Sequence, residues 1–217
     1  METPSVPAIY RRIQGRKELR PHLRHRGKPY RKRGPAKDRR GSIRDQRWID
    51  ERPAAVDRKE RFGDFEIDLI NGARHRGNLF TANDRMSLFC ILEPLRTKEA
   101  DELADTAISA FMPYRELLRT VTFDNGKEFA GHARIASELD VGYYFAHPYH
   151  SWERGANENM NGLIRQYLPK GTSFEDLTRE EVKRIEWKQN NRPRKRLGFL
   201  TPLEYISRRV RQIYLTT

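Results

Sequence analysis

Basic charge is concentrated in one N-terminal stretch, and this distribution limits which part of the 217-residue chain can fold. Residues 11–48 include sixteen basic and three acidic side chains, whereas residues 49–217 carry 27 basic and 26 acidic ones. A segment with few apolar side chains and much like charge cannot bury a core of its own. We therefore predict a basic, poorly structured arm or linker over residues 1–60 and one folded domain over residues 61–217.

The basic arm favours a polyanionic partner, and nucleic acid is the first choice. Its densest basic runs supply the candidate phosphate contacts Arg31, Lys32, Arg33, Arg39 and Arg40. The alternative for any such run is a solvated tail without a function. No stretch approaches the roughly 18 apolar residues of a membrane-spanning helix, so a membrane partner is not expected.

Cysteine use and the first residues indicate a cytoplasmic protein. Cys90 is the only cysteine, which rules out an internal disulfide and a zinc site built from cysteines. The first ten residues lack the charged and apolar regions of an export signal. A reducing cytoplasm is therefore the expected location.

Apolar and polar residues alternate from Phe62 onward in the pattern of β-strands. Phe65, Ile67 and Leu69 alternate with acidic residues, which predicts a first strand. Four more apolar or β-branched runs predict strands: Leu79–Ala82, Met86–Leu92, Arg119–Phe123 and Val141–Ala146. A short polar turn joins the second strand to the third, so the first three strands are expected to form an antiparallel meander.

Helical spacing of apolar residues marks four further stretches. The predicted helices cover Thr97–Phe111, with Thr97 as the expected N-cap, then His132–Leu139, about Trp152 to Tyr167, and about Thr178 to Asn191. Strands interleaved with helices in this way predict an α/β fold in which helices flank a sheet.

Three acidic residues stand where a phosphodiester-processing site needs them. Asp68 lies on the first strand, Asp124 follows a later strand, and Glu158 lies near the start of a helix. Two divalent cations need several carboxylate oxygens that converge on one point, and magnesium prefers oxygen ligands. Strand ends and the first turn of a helix can provide that convergence.

Each of these carboxylates also has an ordinary structural explanation. Asp124 begins the turn sequence Asp-Asn-Gly. Asp68 lies in an apolar strand, where an unpaired charge is costly, and a cation is its expected partner. Glu66 shares the strand face of Asp68 and could support it, but a surface salt bridge is its expected role.

Two motifs turn this pattern into a family resemblance. Residues 124–129 read DNGKEF and residues 149–167 read YHSWERGANENMNGLIRQY. Both resemble motifs of the DDE transposases and retroviral-type integrases, specifically the IS-thirty group of insertion-sequence transposases. The 33 residues between Asp124 and Glu158 match the spacing of that group. GDFEIDLI at residues 63–70 resembles its first-acid motif, and NNRPRKRLGFLTPLEY at residues 190–205 resembles its C-terminal signature.

The resemblance covers about residues 31–205 and implies a ribonuclease H-like fold, a mixed five-stranded sheet flanked by helices. It implies that Asp68, Asp124 and Glu158 are catalytic and bind two magnesium or manganese ions. The implied activity is cleavage of DNA strands at the terminal inverted repeats of an insertion sequence and their transfer into target DNA. Because transposition requires paired ends, a homodimer or larger assembly on DNA is expected.

Basic and polar side chains near these motifs are candidates for DNA contact. Arg154, Asn161 and Arg165 lie on or near the helix face that carries Glu158. A second basic cluster near the C-terminus contains Arg192, Arg194 and Arg196. Helix packing or plain solvation is the alternative for these residues.

Transposases of this group also carry helix-turn-helix segments, and Ala8–Arg12 resembles the end of one. Without such segments the chain is expected to bind DNA through charge rather than by reading bases. One hypothesis is therefore an active transposase core that uses all three acids. The other is a truncated, non-catalytic DNA-binding remnant or an inhibitor of full-length transposase. A ribonuclease H or junction nuclease predicts similar acids but not these two motifs at this spacing.

Overall fold

The structure is a computed structural model that describes residues 6–14, 16, 18–19, 43–148, 150 and 155–208. The chain divides into two units, residues 1–39 and residues 40–217. In the first unit, helix α1 spans Val6–Gln14. The second unit contains a mixed sheet with helices packed on both faces.

Five strands form the sheet, and the order across it is β3-β2-β1-β4-β5. Their bounds are β1 Asp64–Asn71, β2 Asn78–Asp84, β3 Cys90–Leu95, β4 Thr120–Phe123 and β5 Gly142–Phe145. The first three strands are antiparallel neighbours, whereas β4 is parallel to both β1 and β5. This arrangement confirms the predicted meander and the ribonuclease H-like fold class.

The helices of the second unit lie at the positions that the apolar spacing indicates. They are α2 Ala54–Arg58, α3 Ala100–Phe111, α4 His132–Leu139, α5 Gly155–Ile164 and α6 Arg179–Asn190, with a further helix over residues 202–208. Thr178 caps α6: its side chain accepts a hydrogen bond from the backbone N–H of Glu181, whose carboxylate accepts one from the N–H of Thr178. The predicted start of α5 at Trp152 lies outside the described residues.

Two apolar clusters form the core, one on each face of the sheet. On one face Phe65 and Ile67 of β1 pack with buried residues of α3 such as Phe111. On the other face Ile70 packs with Leu163 of α5 and with buried residues of α6. Because side chains alternate along a strand, β1 contributes to both clusters and is the centre of the sheet.

Two predicted boundaries are wrong. The strand predicted from Met86 begins only at Cys90, because Asp84 holds the intervening residues in a turn. The carboxylate of Asp84 accepts hydrogen bonds from the N–H of Gly63, at 2.9 Å, and from the N–H and hydroxyl of Ser87, at 2.7 and 2.6 Å. Helix α3 begins at Ala100, and the hydroxyl of Thr97 donates to Glu102 instead of capping the helix.

Residues 43–60, which the sequence assigns to the arm, are part of the second unit. Ile49 and Val56 are buried, and the guanidinium of Arg52 donates to the hydroxyl of Thr122 on β4 at 3.1 Å. The folded unit therefore starts earlier than residue 61. The sequence does not indicate this, because so few of these residues are apolar.

Helix α6 covers the free edge of β3. The side chain of Asn190 accepts from the N–H of Cys90 at 2.9 Å and donates to the carbonyl of Cys90 at 2.8 Å. Glu186 accepts from the N–H of Leu92 at 2.7 Å, and Pro94 has no N–H to satisfy. At the opposite edge, the N–H of Phe145 on β5 donates to Arg47.

Within the described ranges, no helix has both the length and the apolar content needed to cross a lipid bilayer.

Replacing Asn190 with alanine should destabilise the fold. The variant leaves the buried N–H and carbonyl of Cys90 without their partners, which should lower the free energy of unfolding by about 2–4 kcal/mol. Urea unfolding measures the change. Asn191→Ala is the matched control, because that side chain makes one exposed bond to Trp187 and its loss should matter much less. Equal losses for both variants would contradict this account of the edge.

The buried carboxyl of Asp84 should make stability depend on pH. Burial raises the pKa of Asp84 to about 6 from its ordinary 3.8, so the folded state binds a proton more readily than the unfolded state does. The free energy of unfolding should therefore rise as the pH falls through 6, by about 1 kcal/mol between pH 7 and pH 5. The variant Asp84→Asn cannot gain this stability. The difference between its free energy of unfolding and that of the parent protein should therefore grow as the pH falls from 7 to 5. A constant deficit in urea unfolding at both pH values would refute the assignment.

Candidate active site

The first two acids of the predicted site lie on neighbouring central strands. β1 and β4 run parallel, with Glu66 opposite Thr122. Continuing this register by two residues aligns Asp68 with Asp124 on the same face of the sheet. Both side chains are half-buried. The register therefore places both acids on one face of the sheet, near the end of β4.

The loop after β4 is held at several points. One carboxylate oxygen of Asp124 accepts the N–H of Gly126 at 2.8 Å, so the turn role expected for this residue is present. Asn125 donates to the carbonyl of Ala146 and accepts from Gln46 at 2.8 Å. These contacts fix the loop, and with it the carboxylate of Asp124, which is the second acid of the predicted site.

Helix α5 runs along β1 and is attached to it at three levels. Near its start, the N–H of Asn157 donates to Glu66 at 3.2 Å, and the side chain of Asn157 accepts from Asn83 at 2.7 Å. One turn later, Asn161 donates to the carboxylate of Asp68 at 2.7 Å. At its end, Arg165 donates to the carbonyl of Asn71 at 2.8 Å. The helix thus lies over the face that carries the first acid.

Glu158 sits in the first turn of α5, next to Asn157, and its side chain is exposed. It lies three residues before Asn161, so the two residues are neighbours on the helix surface. The helix therefore carries Glu158 to the side of the sheet on which Asp68 and Asp124 lie, and it presents that carboxylate to solvent.

Glu66 is fully buried, and the expectation that it forms a surface salt bridge is wrong. Its carboxylate pairs with Arg85, which is itself 7% exposed, and accepts the N–H of Asn157. Arg52 lies in the same layer and bonds to Asp57 and Thr122. Burial lowers the pKa of Arg52. Buried, paired charges therefore lie where the start of α5 meets the sheet.

The chemistry of the two aligned acids fits a hard divalent cation. Carboxylates set side by side repel each other unless a positive charge lies between them, and magnesium binds such oxygens. In the part of the chain that the structure describes, no three His, Cys, Asp or Glu side chains come close enough together to hold a metal ion. The side chain of Glu158 thus does not close a three-acid cluster in this conformation.

Arg165 contacts its own protein at three points. It donates to the carbonyls of Asn71 and Leu168, and its guanidinium lies 5.5 Å from the centre of the Phe174 ring. Burial lowers the pKa of Arg165. These contacts favour the structural alternative, and a phosphate contact from Arg165 stays a prediction.

The C-terminal basic cluster divides into buried and exposed members. Arg194 is 8% exposed and donates to the backbone and side-chain oxygens of Gln189, at 3.0 and 3.1 Å. Arg196 donates to the carbonyl of Arg85, and Arg192 donates to Gln166. Arg194 therefore has the contacts of a core residue, whereas DNA contact through Arg192 and Arg196 stays a prediction.

The remaining predicted DNA contacts lie outside the described residues. They are Arg31, Lys32, Arg33, Arg39, Arg40 and Arg154.

Sequence reasoning missed the residues that hold the site together. Asn157 and Asn83 bond to each other in the interior, and Arg85 pairs with the buried Glu66. Their partners are 19 to 91 residues away along the chain, so no local pattern points to them. The one available signal was Glu66 itself, an acid in the middle of an apolar strand.

Comparison with known proteins confirms the family resemblance. The chain is 51% identical over 195 residues to the transposase for insertion sequence element IS4351 of Bacteroides fragilis, which covers 90% of this chain and 60% of that protein. It is 38% identical over 175 residues to the transposase for element IS1086 of Cupriavidus metallidurans, covering 78% of this chain and 50% of the relative. It is also 38% identical over 163 residues to the transposase InsI for element IS30A of Escherichia coli, covering 75% of this chain and 42% of that protein.

The chain thus spans about half the length of these relatives. No protein-family profile matches it.

The pairing of Glu66 with Arg85 generates a stability prediction. Arg85→Met leaves a buried carboxylate without its cation and should lower the free energy of unfolding by about 3–5 kcal/mol. Adding Glu66→Leu to that variant removes the stranded charge and should restore part of the loss. Urea unfolding of both single variants and the double variant measures the coupling. The exposed pair of Arg134 with Glu138 is the control, where Arg134→Met should change little. Additive losses at Glu66 and Arg85 would show that the buried pair is not coupled.

Proposed function

We propose that this homologue of the insertion-sequence transposases, which include those of the IS30 elements, is the catalytic part of a metal-dependent transposase. The proposed reaction is cleavage of DNA strands at the ends of an insertion sequence, followed by attack of the freed 3′-hydroxyl on target DNA. The alignment of Asp68 with Asp124 under a helix that carries Glu158 is the observation that supports it most directly.

Each acid has a role that follows from its position. Asp68 is held by Asn161 and by the N–H of Leu69, so one face of its carboxylate has a fixed direction. Asp124 is fixed by the turn to Gly126. Glu158, exposed on the first turn of α5, would complete the set from the helix side. The protein thereby supplies two oxygen donors held by hydrogen bonds and one that is exposed to solvent.

Two magnesium or manganese ions are the proposed cofactors, and Asp68, Asp124 and Glu158 would hold them. When bound, such ions lower the charge barrier for an oxygen nucleophile that attacks a phosphodiester. The proposed role of the chain is to place the DNA strand against the carboxylates, and the half-buried Arg192 and the exposed Arg196 are proposed to hold its phosphates.

DNA is the proposed partner, as both element end and target, and the cytoplasm is the proposed location. A homodimer or larger assembly on DNA is part of this proposal, because joining two element ends to one target requires two active sites.

Asp124→Asn should abolish strand cleavage and joining while DNA binding remains. Loss of a charge that acts on the reacting phosphate should lower the rate by roughly 100-fold or more. The measurement uses the full chain with labelled duplexes that carry an end of its source element joined to flanking DNA, in magnesium, manganese or calcium. Products are resolved on a denaturing gel.

The control is Asp140→Asn, which makes the same change at an exposed residue whose left-handed backbone, with φ of 53°, accepts asparagine. It should keep full activity. Metal-dependent products from the Asp124 variant at the rate of the parent protein would refute the proposed site. Salt-sensitive DNA binding with no product from any of the three proteins would favour a non-catalytic DNA-binding role instead.

A further inference from the structure

Phe199 is held in an unusual position at the surface. Its side chain is 68% exposed, the largest fraction among the large apolar residues of the described part of the chain. Its backbone lies in the left-handed region with φ of 68°, a conformation that bulky side chains rarely adopt. The protein therefore accepts backbone strain at a residue that contributes little to the core.

The turn that carries Phe199, residues 194–200, is rigid at its base. The carbonyl of Arg194 accepts the N–H of Phe199 at 3.0 Å, and the N–H of Arg194 donates to Leu200 at 2.9 Å. Arg194 is in turn anchored to Gln189, and Leu197 is buried. We call residues 194–200 the aromatic turn. Because its base is fixed, the ring of Phe199 is presented outward rather than left to fold back.

The positive charge around the aromatic turn indicates a negatively charged partner. Residues 190–203 contain four basic side chains and no acidic one, and Lys195 next to the turn tip is exposed. Arg196 reaches from the turn to the carbonyl of Arg85, at the end of β2 in the central sheet. An exposed aromatic ring on a turn that also carries the exposed cations Lys195 and Arg196 matches a nucleic acid strand, in which phosphates flank a flat base.

We propose that Phe199 stacks on a DNA base that is exposed where the duplex is broken or unpaired, while Lys195 contacts the adjacent phosphate. This inference rests on the proposed function and names a substrate contact for it. The strain at Phe199 is explained by the same contact, since a pre-set ring loses little conformational freedom on binding. A double-stranded DNA without a break offers no exposed base and should gain little from the ring.

The variant Phe199→Gly tests the proposal in the full chain. Glycine fits the left-handed backbone, so the melting temperature should stay the same or rise. Affinity for a duplex with a single-stranded gap should fall roughly 5- to 150-fold, which corresponds to about 1–3 kcal/mol for one stacked base. A 2-aminopurine placed in the gap should be quenched by the parent protein and not by the variant. The variant Phe199→Trp keeps a large aromatic ring, so it should retain both the affinity for the gapped duplex and the quenching of 2-aminopurine.

Two comparisons separate stacking from other roles. Lys195→Ala should reduce the salt dependence of binding by about one ion, whereas Phe199→Gly should leave that slope unchanged. Trp187→Ala removes an exposed aromatic residue of α6, 64% exposed, and should leave gap binding intact.

Unchanged gap binding by Phe199→Gly, beside a parent protein that binds DNA, overturns the inference and leaves the proposed function standing. Absence of DNA binding by the parent protein overturns both. A change of oligomeric mass without DNA, with gap binding unaltered, would assign Phe199 to contact between copies of the chain and likewise overturn the inference.

Discussion

The buried carboxylate of Glu66 holds the N–H of Asn157, and the geometry of the candidate site depends on this contact. A helix that crosses a sheet can slide and rotate unless polar contacts fix its register, because apolar packing is not directional. Glu66 fixes the first turn of α5, where the partial positive charge of the helix end favours an anion. Arg85 pairs with that carboxylate inside the protein. The buried Glu66 therefore positions the helix turn that carries Glu158.

Two kinds of constraint position the three acids of the candidate site. Strand pairing sets the direction in which Asp68 and Asp124 continue from Glu66 and Thr122, and side-chain bonds of Asp124 and Asn125 hold the loop after β4. The approach of Glu158, by contrast, depends on a few side-chain bonds and leaves its carboxylate exposed. The proposed metal site would therefore combine two carboxylates at the sheet with a third on a helix surface.

Much of the fold could be predicted from the sequence, and most of the site's support could not. The alternation around Ile67 and the spacing in α4 are local patterns, so they gave the right elements. The start of β3 was missed because Asp84 holds the next residues in a turn through bonds to Ser87, which a run of apolar residues does not indicate. Arg194 and Glu66 looked like surface charges, since the burial of a charged residue depends on tertiary packing. The three acids were predicted from their motifs, and their common role stays a prediction; strand register relates Asp68 to the end of β4, whereas the position of Glu158 depends on how α5 packs.

The covered edges of the sheet restrict how copies of this chain can associate. The outward N–H groups of β3 are bonded by α6 or, at Pro94, absent, and Arg47 accepts the N–H of Phe145 at the edge of β5. Continuous sheets that run from one molecule into the next, the usual origin of fibrils, would require these contacts to be broken first. Pairing of two copies without such a break would use side-chain surfaces or a shared nucleic acid. Because such contacts do not extend a sheet, association of two copies can remain reversible. A nucleic acid that both copies bind can then control it.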